Sequence, residues 1–418
     1  GSGKTRVITT KIAWLIDQRG VSPRSILAVT FTNKAAQEMK ERVTGMVPGA
    51  ADVMVRTFHS FGAWFLRRNA AAAGLDPRFT IYDDEDSVSL LRGVLGKGED
   101  RSFLRKTLEE ISRVKDIGCG PSAQREEIAA AGCDPDVFIA YEKAKAATGN
   151  VDFGDLILMP MQLLKSASAV RERTRQRFTV ILVDEYQDSN VAQFELLREL
   201  WSPGGGPSGS PPAYLCVVGD DDQSIYRFRG AEVGNILSFP KVFPGTEIVR
   251  LERNYRSTQS ILDVASAVVA NNKGRLGKTL WTENPRGDLP VLLHLEDQDE
   301  ESRACADIVR DGFPGTTAIL YRMNAQSLHF EKLFQKMGIR FRLIGSVSFY
   351  KREEVKDAMA YLSLIANGND SVSFERIANR PARGLGAASV QAVLAEWRAL
   401  QTEGVALEES GRAAGPGN

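Results

Sequence analysis

The apolar residues of this chain fall into short, β-branched runs that alternate with longer amphipathic stretches. Four of the short runs predict buried strands, at residues 25–31, 53–60, 178–183 and 214–219. A run that is apolar at successive positions is typical of a parallel strand, because helices cover both faces of such a sheet. The alternation of strands with helices predicts an α/β fold built on a doubly wound parallel sheet.

The amphipathic stretches predict where the helices lie. Ile8, Ile12, Leu15 and Ile16 recur on one face, which indicates a helix just after the first residues. A second helix is predicted after the strand at 25–31, with Thr32 or Asn33 as its N-cap. Residues 61–164 have mostly helical spacing, which indicates a helical insertion into the sheet domain.

A second α/β region is predicted in the later part of the chain. Its predicted strands are 248–251, 291–295, 317–321 and 339–344. The pattern becomes helical again after about residue 352. Residues 202–213 are rich in Gly, Pro and Ser and predict a flexible loop without packing content.

Composition limits the class of protein. The 418 residues are 43% hydrophobic and 25% charged, which is typical of a globular protein of several domains. Fifty-three basic and 53 acidic residues cancel, so a nucleic-acid site would have to be a local patch. The four cysteines form no metal-binding or disulfide pattern, which predicts reduced thiols and a cytoplasmic location. No apolar run has transmembrane length, so no membrane partner is expected.

The strand at 178–183 ends in two acidic residues, Asp184 and Glu185. Open α/β sheets bind ligands at the carboxyl ends of their strands. Carboxylates at that position need a cation, a donor or water, and Mg²⁺ carried by a nucleotide meets the need. The alternative is a solvated strand end followed by a helix N-cap.

Residues Gly1-Ser2-Gly3-Lys4-Thr5 match the second half of the phosphate-binding loop G-x-x-x-x-G-K-[ST]. In such a loop Lys4 would reach the β- and γ-phosphates and the Thr5 hydroxyl would bind Mg²⁺. Together with the acidic strand end, this predicts a P-loop nucleoside triphosphatase. Because the chain starts inside the motif and without Met, it is expected to be a piece of a longer protein.

Nine stretches in the same order carry a resemblance to a known family. They are GSGKT, LAVTFTNKAAQEM, TFHSF, VDFGDLI, ILVDEYQD, VVGDDDQSIYRFRGA, LERNYRS, YRMNAQS and KREEVKDAMAYL. The chain resembles superfamily-1 helicases of the UvrD/Rep/PcrA family and is most similar to Rep. The resemblance implies two RecA-like domains, each with a helical insertion. The implied boundaries are 1–56 with 166–250 for the first domain, 57–165 for its insertion, 251–351 for an incomplete second domain and 352–418 for a truncated second insertion.

The resemblance also implies a function. It implies ATP-driven 3′→5′ movement on single-stranded DNA and unwinding at duplex junctions in replication or repair, with ATP and Mg²⁺ as cofactors. One alternative is the ATPase subunit of a helicase–nuclease complex, which a further nuclease domain would reveal. A second alternative is a non-catalytic remnant that binds DNA or nucleotide, and an ATPase assay separates it from the first reading. The chain as given is expected to be impaired, because further family motifs would lie outside it.

The resemblance assigns nucleotide roles to single residues. Lys4 matches the phosphate lysine, within a cradle formed by Gly1, Ser2 and Gly3, and Thr5 and Asp184 match the metal ligands. Glu185 matches the residue that orients and deprotonates water, Gln223 the γ-phosphate sensor and Arg256 an arginine finger. Arg6 and Tyr255 match the pair that encloses adenine. Gln223 could instead be a turn-capping amide, and Arg6 and Tyr255 ordinary surface side chains.

DNA contacts are implied in the same way. The matching residues are Phe31, Asn33, His59, Tyr226, Phe228 and Arg229. Aromatic rings give bases a sequence-tolerant stacking face, and Arg holds phosphates. The family usually has Trp at position 228, so Phe228 predicts weaker stacking. Phe31 could instead be a core aromatic and His59 a structural histidine, and Gly154 replaces an acid of the family's DFDDL string.

Overall fold

The fold is known from a computed structural model. It describes residues 1–96, 98–201, 213–227, 230–272, 275–312, 315–344, 353–386, 388–390 and 392–396. The chain divides into two compact units, and each is treated by itself. The first comprises Gly1–Pro285 with the described residues from Asp357 onward, and the second is Arg286–Lys356.

Four parallel strands form the sheet of the first unit. They are β1 (Ile26–Thr30), β2 (Met54–Thr57), β3 (Val180–Val183) and β4 (Tyr214–Val217), in the order β2-β1-β3-β4. The predicted parallel sheet and its four strands are thus confirmed. Residues 58–60, predicted as the end of β2, instead form the first turn of a helix. The Thr57 side chain accepts a hydrogen bond from Ser60 N and caps that helix, which ends the strand.

Residues 388–390 and 392–396 are helical, and further α-helices with defined bounds accompany the strands. They are α1 (Lys4–Arg19), α2 (Asn33–Met46), α3 (Phe58–Arg68), α4 (Asp84–Leu95), α5 (Arg101–Asp116), α6 (Arg125–Ala130), α7 (Pro135–Ala147), α8 (Asp155–Ser166), α9 (Ser168–Arg177), α10 (Val191–Leu200), α11 (Gly234–Val242), α12 (Gln259–Val269), α13 (Gln298–Arg310), α14 (Ser327–Met337), α15 (Glu353–Ala366) and α16 (Ser371–Ile377). Helices α3 to α9 all lie between β2 and β3, which confirms the helical character predicted for 61–164. The flexible loop predicted at 202–213 lies, except for Ala213, outside the described residues.

Helices bury both faces of the sheet. Leu27 and Ile181 face a core that includes Phe61 of α3 and Leu197 of α10. Alternate residues of the same strands, such as Ala28 and Leu182, face a second core with α1 and α2. This two-sided burial explains why β1 and β3 read as continuous apolar runs.

The helical insertion has a core of its own, which contains a group of buried charges. Lys115 Nζ lies 2.7 Å from Glu142, 2.6 Å from Asp152 and 2.8 Å from Asp155. Lys145 Nζ pairs with the same three carboxylates, at 2.5 to 3.1 Å. We call these five residues the insertion charge cluster. Because each ion has close partners of opposite charge, the cluster can stay buried.

Gly154 lies beside this cluster. A Cβ added at Gly154 would lie 2.5 Å from Lys115 Cδ and 3.1 Å from Lys115 Cβ. The stem of Lys115 therefore fills the space that a side chain at 154 would need. The packing of Lys115 against position 154 thus explains why this chain has glycine where the DFDDL string has an acid.

The four strands predicted in the later part of the chain are not formed within the described residues. Residues 248–251, 291–295, 317–321 and 339–344 carry no strand pairing, and the described chain has one sheet. Most of their apolar side chains are exposed, with Val291 81% and Leu320 93% accessible. A strand needs a neighbour to pair with and a layer to cover its apolar face, and these segments have neither among the described residues.

The division at 285/286 differs from the predicted domain boundary at 250/251, so the predicted boundaries stay a prediction. Residues 251–285 belong to the same unit as the phosphate loop. Among the described helices, none has the length and apolarity needed to cross a membrane.

Candidate nucleotide and DNA site

The phosphate-binding loop leads directly into α1. Gly3 has φ +81°, in the left-handed region that favours glycine, and it is the N-cap residue of the helix that starts at Lys4. The first-turn amides of a helix have no carbonyl partner within it, and the helix dipole attracts anions to that end. The local sequence therefore forms an anion-binding helix terminus where the motif predicted one.

Thr5 and Asp184 meet at this helix terminus. Thr5 Oγ1 donates a hydrogen bond to Asp184 Oδ2 over 3.2 Å. Asp184 directly follows β3, and its N–H donates to the carbonyl of Val29 at 2.8 Å, which fixes it to the central strands. Burial raises the pKa of the Asp184 carboxyl, and the neighbouring charge of Glu185 raises it further. A cation would relieve both effects, and a hydroxyl with a carboxylate is a donor set that fits Mg²⁺.

Lys4, the first residue of α1, places its ammonium group near two carboxylates. Its Nζ is buried and makes no hydrogen bond with the described residues. It lies 3.8 Å from Glu185 Oε2 and 3.5 Å from Asp220 Oδ2, at ion-pair distance. A buried ammonium normally has hydrogen-bond acceptors, so the site fits an additional oxygen-rich anion such as a phosphate.

Glu185 has an unusual backbone. Its φ is 51° and its ψ 42°, and it is the one non-glycine residue with positive φ among the described residues. Such backbone strain concentrates at functional sites. Gln187 Nε2 donates to Glu185 Oε2 at 2.9 Å and holds the carboxylate, whose side chain is still 37% exposed. An oriented, accessible carboxylate beside the phosphate loop can accept a proton from water.

Gln223 is connected to the same edge of the sheet by a hydrogen bond to Asp220. Gln223 Nε2 donates to Asp220 Oδ2 at 2.6 Å, and Asp220 N donates to Gln187 Oε1 at 2.8 Å. Lys278 forms an ion pair with Asp220. Burial alone would raise the pKa of Asp220, but the ammonium groups of Lys278 and Lys4 lower it below its ordinary value. Gln223, Glu185 and Lys4 are therefore linked through Gln187 and Asp220.

The loop that carries Arg256 is attached to the phosphate loop. Tyr255 N donates to the carbonyl of Gly1 at 3.0 Å. Asn254 Oδ1 accepts from Arg256 N at 2.9 Å and from Ser257 N at 2.8 Å, which shapes the turn. A Cβ added at Gly1 would lie 2.4 Å from Asn254 Nδ2, so a side chain at position 1 would require the Asn254 side chain to move. Arg256 itself is exposed.

Arg6 and Tyr255, the predicted adenine pair, are both exposed. The Tyr255 ring carries the guanidinium of Arg253 at 4.8 Å from its centroid. Arg253 therefore covers one of the two faces of the Tyr255 ring on which a base could stack. The adenine-binding role of Arg6 and Tyr255 stays a prediction.

Four of the predicted DNA residues lie at the carboxyl ends of the strands. Phe31 and Tyr226 are in ring contact, with centroids 5.1 Å apart and planes tilted by 31°. Asn33 Oδ1 accepts a hydrogen bond from Thr57 Oγ1 at 3.4 Å. The pairing of Thr30 with Thr57 places Phe31 and His59, which follow them, at the same edge. Phe228 and Arg229 lie outside the described residues.

His59 is partly buried, and burial lowers its pKa. Its ring makes an edge contact with Phe153 at 6.0 Å, and Phe153 is 50% exposed. Phe153 thus adds an aromatic face next to His59. Phe153 lies in the stretch VDFGDLI, but no role was predicted for it.

Other site residues were also missed. Gln187, Asp188 and Asp220 stand inside quoted stretches, and the rule that polar strand ends meet at one edge could have identified them. Burial, with the charge of Glu185, raises the pKa of Asp188 to about 6. Lys278 had no such signal, because it is 58 residues from Asp220 in sequence.

Comparisons with known proteins agree with this geometry. Residues 1–244 match the family model of the UvrD/REP helicase N-terminal domain, and residues 249–409 that of the UvrD-like helicase C-terminal domain. The chain is similar to the ATP-dependent DNA helicase PcrA of Bacillus subtilis, with 40% identity over 406 residues, 94% of this chain and 54% of the relative. It is also similar to the ATP-dependent DNA helicase UvrD1 of Mycobacterium bovis, with 42% identity, 92% of this chain and 52% of the relative. The chain spans about half the length of these curated relatives. The particular likeness to Rep stays a prediction.

Proposed function

Because the chain belongs to the UvrD/REP helicase family, we propose that it hydrolyses ATP to drive movement along single-stranded DNA. The observation that carries this proposal is the convergence of Lys4, Thr5, Asp184 and Glu185 at one edge of the sheet, next to the aromatic pair Phe31 and Tyr226. A phosphate site and a base-stacking face are then neighbours on one rigid scaffold.

The proposed hydrolysis uses this chain's residues for charge and orientation. Gly1, Ser2, Gly3 and Lys4 bind the phosphates, and the buried Lys4 ammonium neutralises charge that develops on them. Glu185 accepts a proton as water attacks the γ-phosphorus and the bond to the bridging oxygen breaks. Gln223 orients the phosphate, and Arg256 stabilises the transition-state charge. Thr5 and Asp184 would hold Mg²⁺, which supplies additional positive charge against the phosphate oxygens when bound.

The proposed DNA path follows the carboxyl edge of the strands. Phe31, Tyr226 and His59 would present ring faces and Asn33 a polar group, and Phe153 extends the same edge. Stacking is worth about 1–3 kcal/mol per base and does not depend on sequence. Phe228 and Arg229 are proposed to continue this face by their place in the motif. We further propose the 3′→5′ direction, unwinding at duplex junctions and a cytoplasmic role in replication or repair.

Strand displacement tests the proposal directly. The intact protein should release a labelled strand from a duplex with a 3′ single-stranded tail when ATP and Mg²⁺ are present, and should fail on the matched 5′-tailed duplex. Lys4→Ala is the control for a contaminating helicase. Absence of both ATP hydrolysis and strand release in the intact protein would contradict the proposed motor and favour a non-catalytic binding role.

A further inference from the structure

One side chain of the helical insertion contacts both segments that lead away from the candidate site. Asp116 is the last residue of α5 and is half-buried. Its Oδ1 accepts a hydrogen bond from Asn190 Nδ2 at 2.6 Å. Its Oδ2 lies against Gly230, where an added Cβ would be only 3.0 Å away. The carboxylate therefore lies between two stretches that are 40 residues apart in sequence.

The first stretch continues from the catalytic carboxylate. Asn190 follows the turn Tyr186–Asp188, which begins directly after Glu185. The Asn190 side chain also accepts from Gln193 N at 2.9 Å and so caps α10. A single amide thus connects the start of α10 with the end of α5.

The second stretch carries a DNA-stacking candidate. Gly230 N donates to Arg227 O at 3.0 Å and Ala231 N donates to Tyr226 O at 3.3 Å, so the turn closes on Tyr226. Gly230 has φ +79°, which favours glycine, and an added Cβ would press against the Asp116 carboxylate at 3.0 Å. The Tyr226 turn is therefore fitted closely to the Asp116 carboxylate.

The two stretches are also joined to each other. Glu232 N donates to Ser189 O at 3.0 Å, and Asn235 Nδ2 donates to the carbonyls of Ser189 and Asn190 at 3.0 and 3.2 Å. Asp116 gives α5 of the insertion a side-chain contact with both stretches of this junction. A shift of the Tyr226 turn would change the position of Asn190, and a shift of α5 would change both.

We propose that Asp116 is a positioning residue through which the helical insertion sets how strongly single-stranded DNA accelerates ATP hydrolysis. The inference rests on the proposed function, because it needs DNA at Tyr226 and ATP beside Glu185. Asp116 takes no part in the chemistry. It holds the Tyr226 turn and the segment after Glu185 in a fixed position relative to each other.

The test compares Asp116→Ala and Asp116→Asn with Glu109→Ala, which changes an exposed acid on the same helix. The turnover rate of the intact protein is measured with and without a saturating thymidine oligonucleotide. Asp116→Ala should lower the DNA-stimulated rate roughly tenfold, the size of one lost hydrogen bond, with the basal rate within about twofold of wild type. Asp116→Asn should retain the stimulation, because its amide oxygen can accept from Asn190.

Hydrogen exchange gives a readout that does not depend on activity. Backbone amides at 230–235 should exchange faster in Asp116→Ala than in wild type, Asp116→Asn or Glu109→Ala. Full DNA stimulation in Asp116→Ala, an equal loss of basal and stimulated rates, or unchanged exchange at 230–235 would each overturn the inference while the proposed function stands. A wild-type protein that DNA does not stimulate would overturn the proposed function, and the inference with it.

Discussion

The Thr5 hydroxyl and the Asp184 carboxylate are hydrogen-bonded across 179 residues of sequence, at 3.2 Å. This contact joins the first turn of α1 to the end of β3. It places a neutral oxygen and a buried carboxylate where a hard cation could bind both. Because both groups are predicted Mg²⁺ ligands, removal of one of them tests the predicted metal site.

Thr5→Val keeps the shape of the side chain but removes the hydroxyl. We expect the Mg²⁺ concentration for half-maximal ATP hydrolysis to rise by about tenfold or more, because one of two protein ligands is lost. Thr10→Val, at an exposed position of the same helix, is the matched control and should leave the Mg²⁺ dependence unchanged. Hydrolysis rates over a Mg²⁺ titration measure the effect, and an unshifted curve for Thr5→Val would remove Thr5 from the metal site.

Lys4→Ala and Glu185→Gln should both abolish ATP hydrolysis while single-strand binding persists. Lys4 Nζ is buried beside Glu185 and Asp220, and none of these residues is among the DNA-binding candidates. Turnover with single-stranded DNA is measured beside fluorescence-anisotropy binding to the same oligonucleotide. If either variant hydrolyses ATP at the wild-type rate, the assignment of the catalytic site is wrong.

Arg256→Ala should slow hydrolysis by ~10³–10⁵-fold, the range for arginine fingers in other phosphoryl-transfer systems. Nucleotide affinity should change far less. Asn254→Ala should give a smaller loss of turnover, since Asn254 Oδ1 only shapes the turn through Arg256 N and Ser257 N. A large loss of ATP binding with unaltered turnover would instead make Arg256 a ground-state binding residue.

The sequence was sufficient for features that depend on local pattern. Strand β3 is apolar at every position and β1 at every position except Thr30, and Gly3 precedes a lysine and a helix, so the strands and the phosphate loop could be predicted directly. Contacts between residues that are distant in sequence could not be predicted in this way. Lys278 reaches Asp220 and Asn254 reaches Gly1 only through the folded chain. Lys278 lies in none of the nine stretches, and the LERNYRS stretch that contains Asn254 does not indicate a contact with Gly1.

The strands predicted in the later part of the chain show the limit of a pattern taken alone. Residues 291–295 and 317–321 have the composition of strands, but composition does not specify a pairing partner. In the described structure most of their apolar side chains remain exposed. The pattern indicates a preference for strand, and only neighbouring strands and covering helices convert that preference into a sheet.

Lys115→Met should destabilise the protein strongly. The change removes one cation of the insertion charge cluster and leaves Glu142, Asp152 and Asp155 with Lys145 alone. Although burial favours its neutral form, the carboxylates raise the pKa of Lys115 well above its ordinary value, so the ion is held charged. Breaking a buried ion pair typically costs about 3–5 kcal/mol.

Urea unfolding followed by circular dichroism measures that loss. Lys143→Met, at an exposed position on the same helix as Lys145, is the control and should change the free energy of unfolding by about 0.5 kcal/mol or less. Equal stability of Lys115→Met and wild type would show that the cluster contributes no net stabilisation.

Asp116→Asn should stabilise the protein increasingly as pH rises from about 5 to 8. Burial raises the pKa of Asp116 from 3.8 to about 7, against the lowering effect of the Asn190 hydrogen bond. The folded state then binds the proton more tightly than the unfolded state, so the wild type loses stability as pH rises between these two values. The rise in pKa corresponds to a loss of unfolding free energy of at most about 4 kcal/mol above pH 7, and the uncharged amide avoids this cost.

Urea unfolding at half-unit pH steps gives the difference in unfolding free energy between variant and wild type, with Glu109→Gln as the exposed control. A difference that stays constant from pH 5 to 8 would show that the Asp116 carboxyl does not titrate in that range.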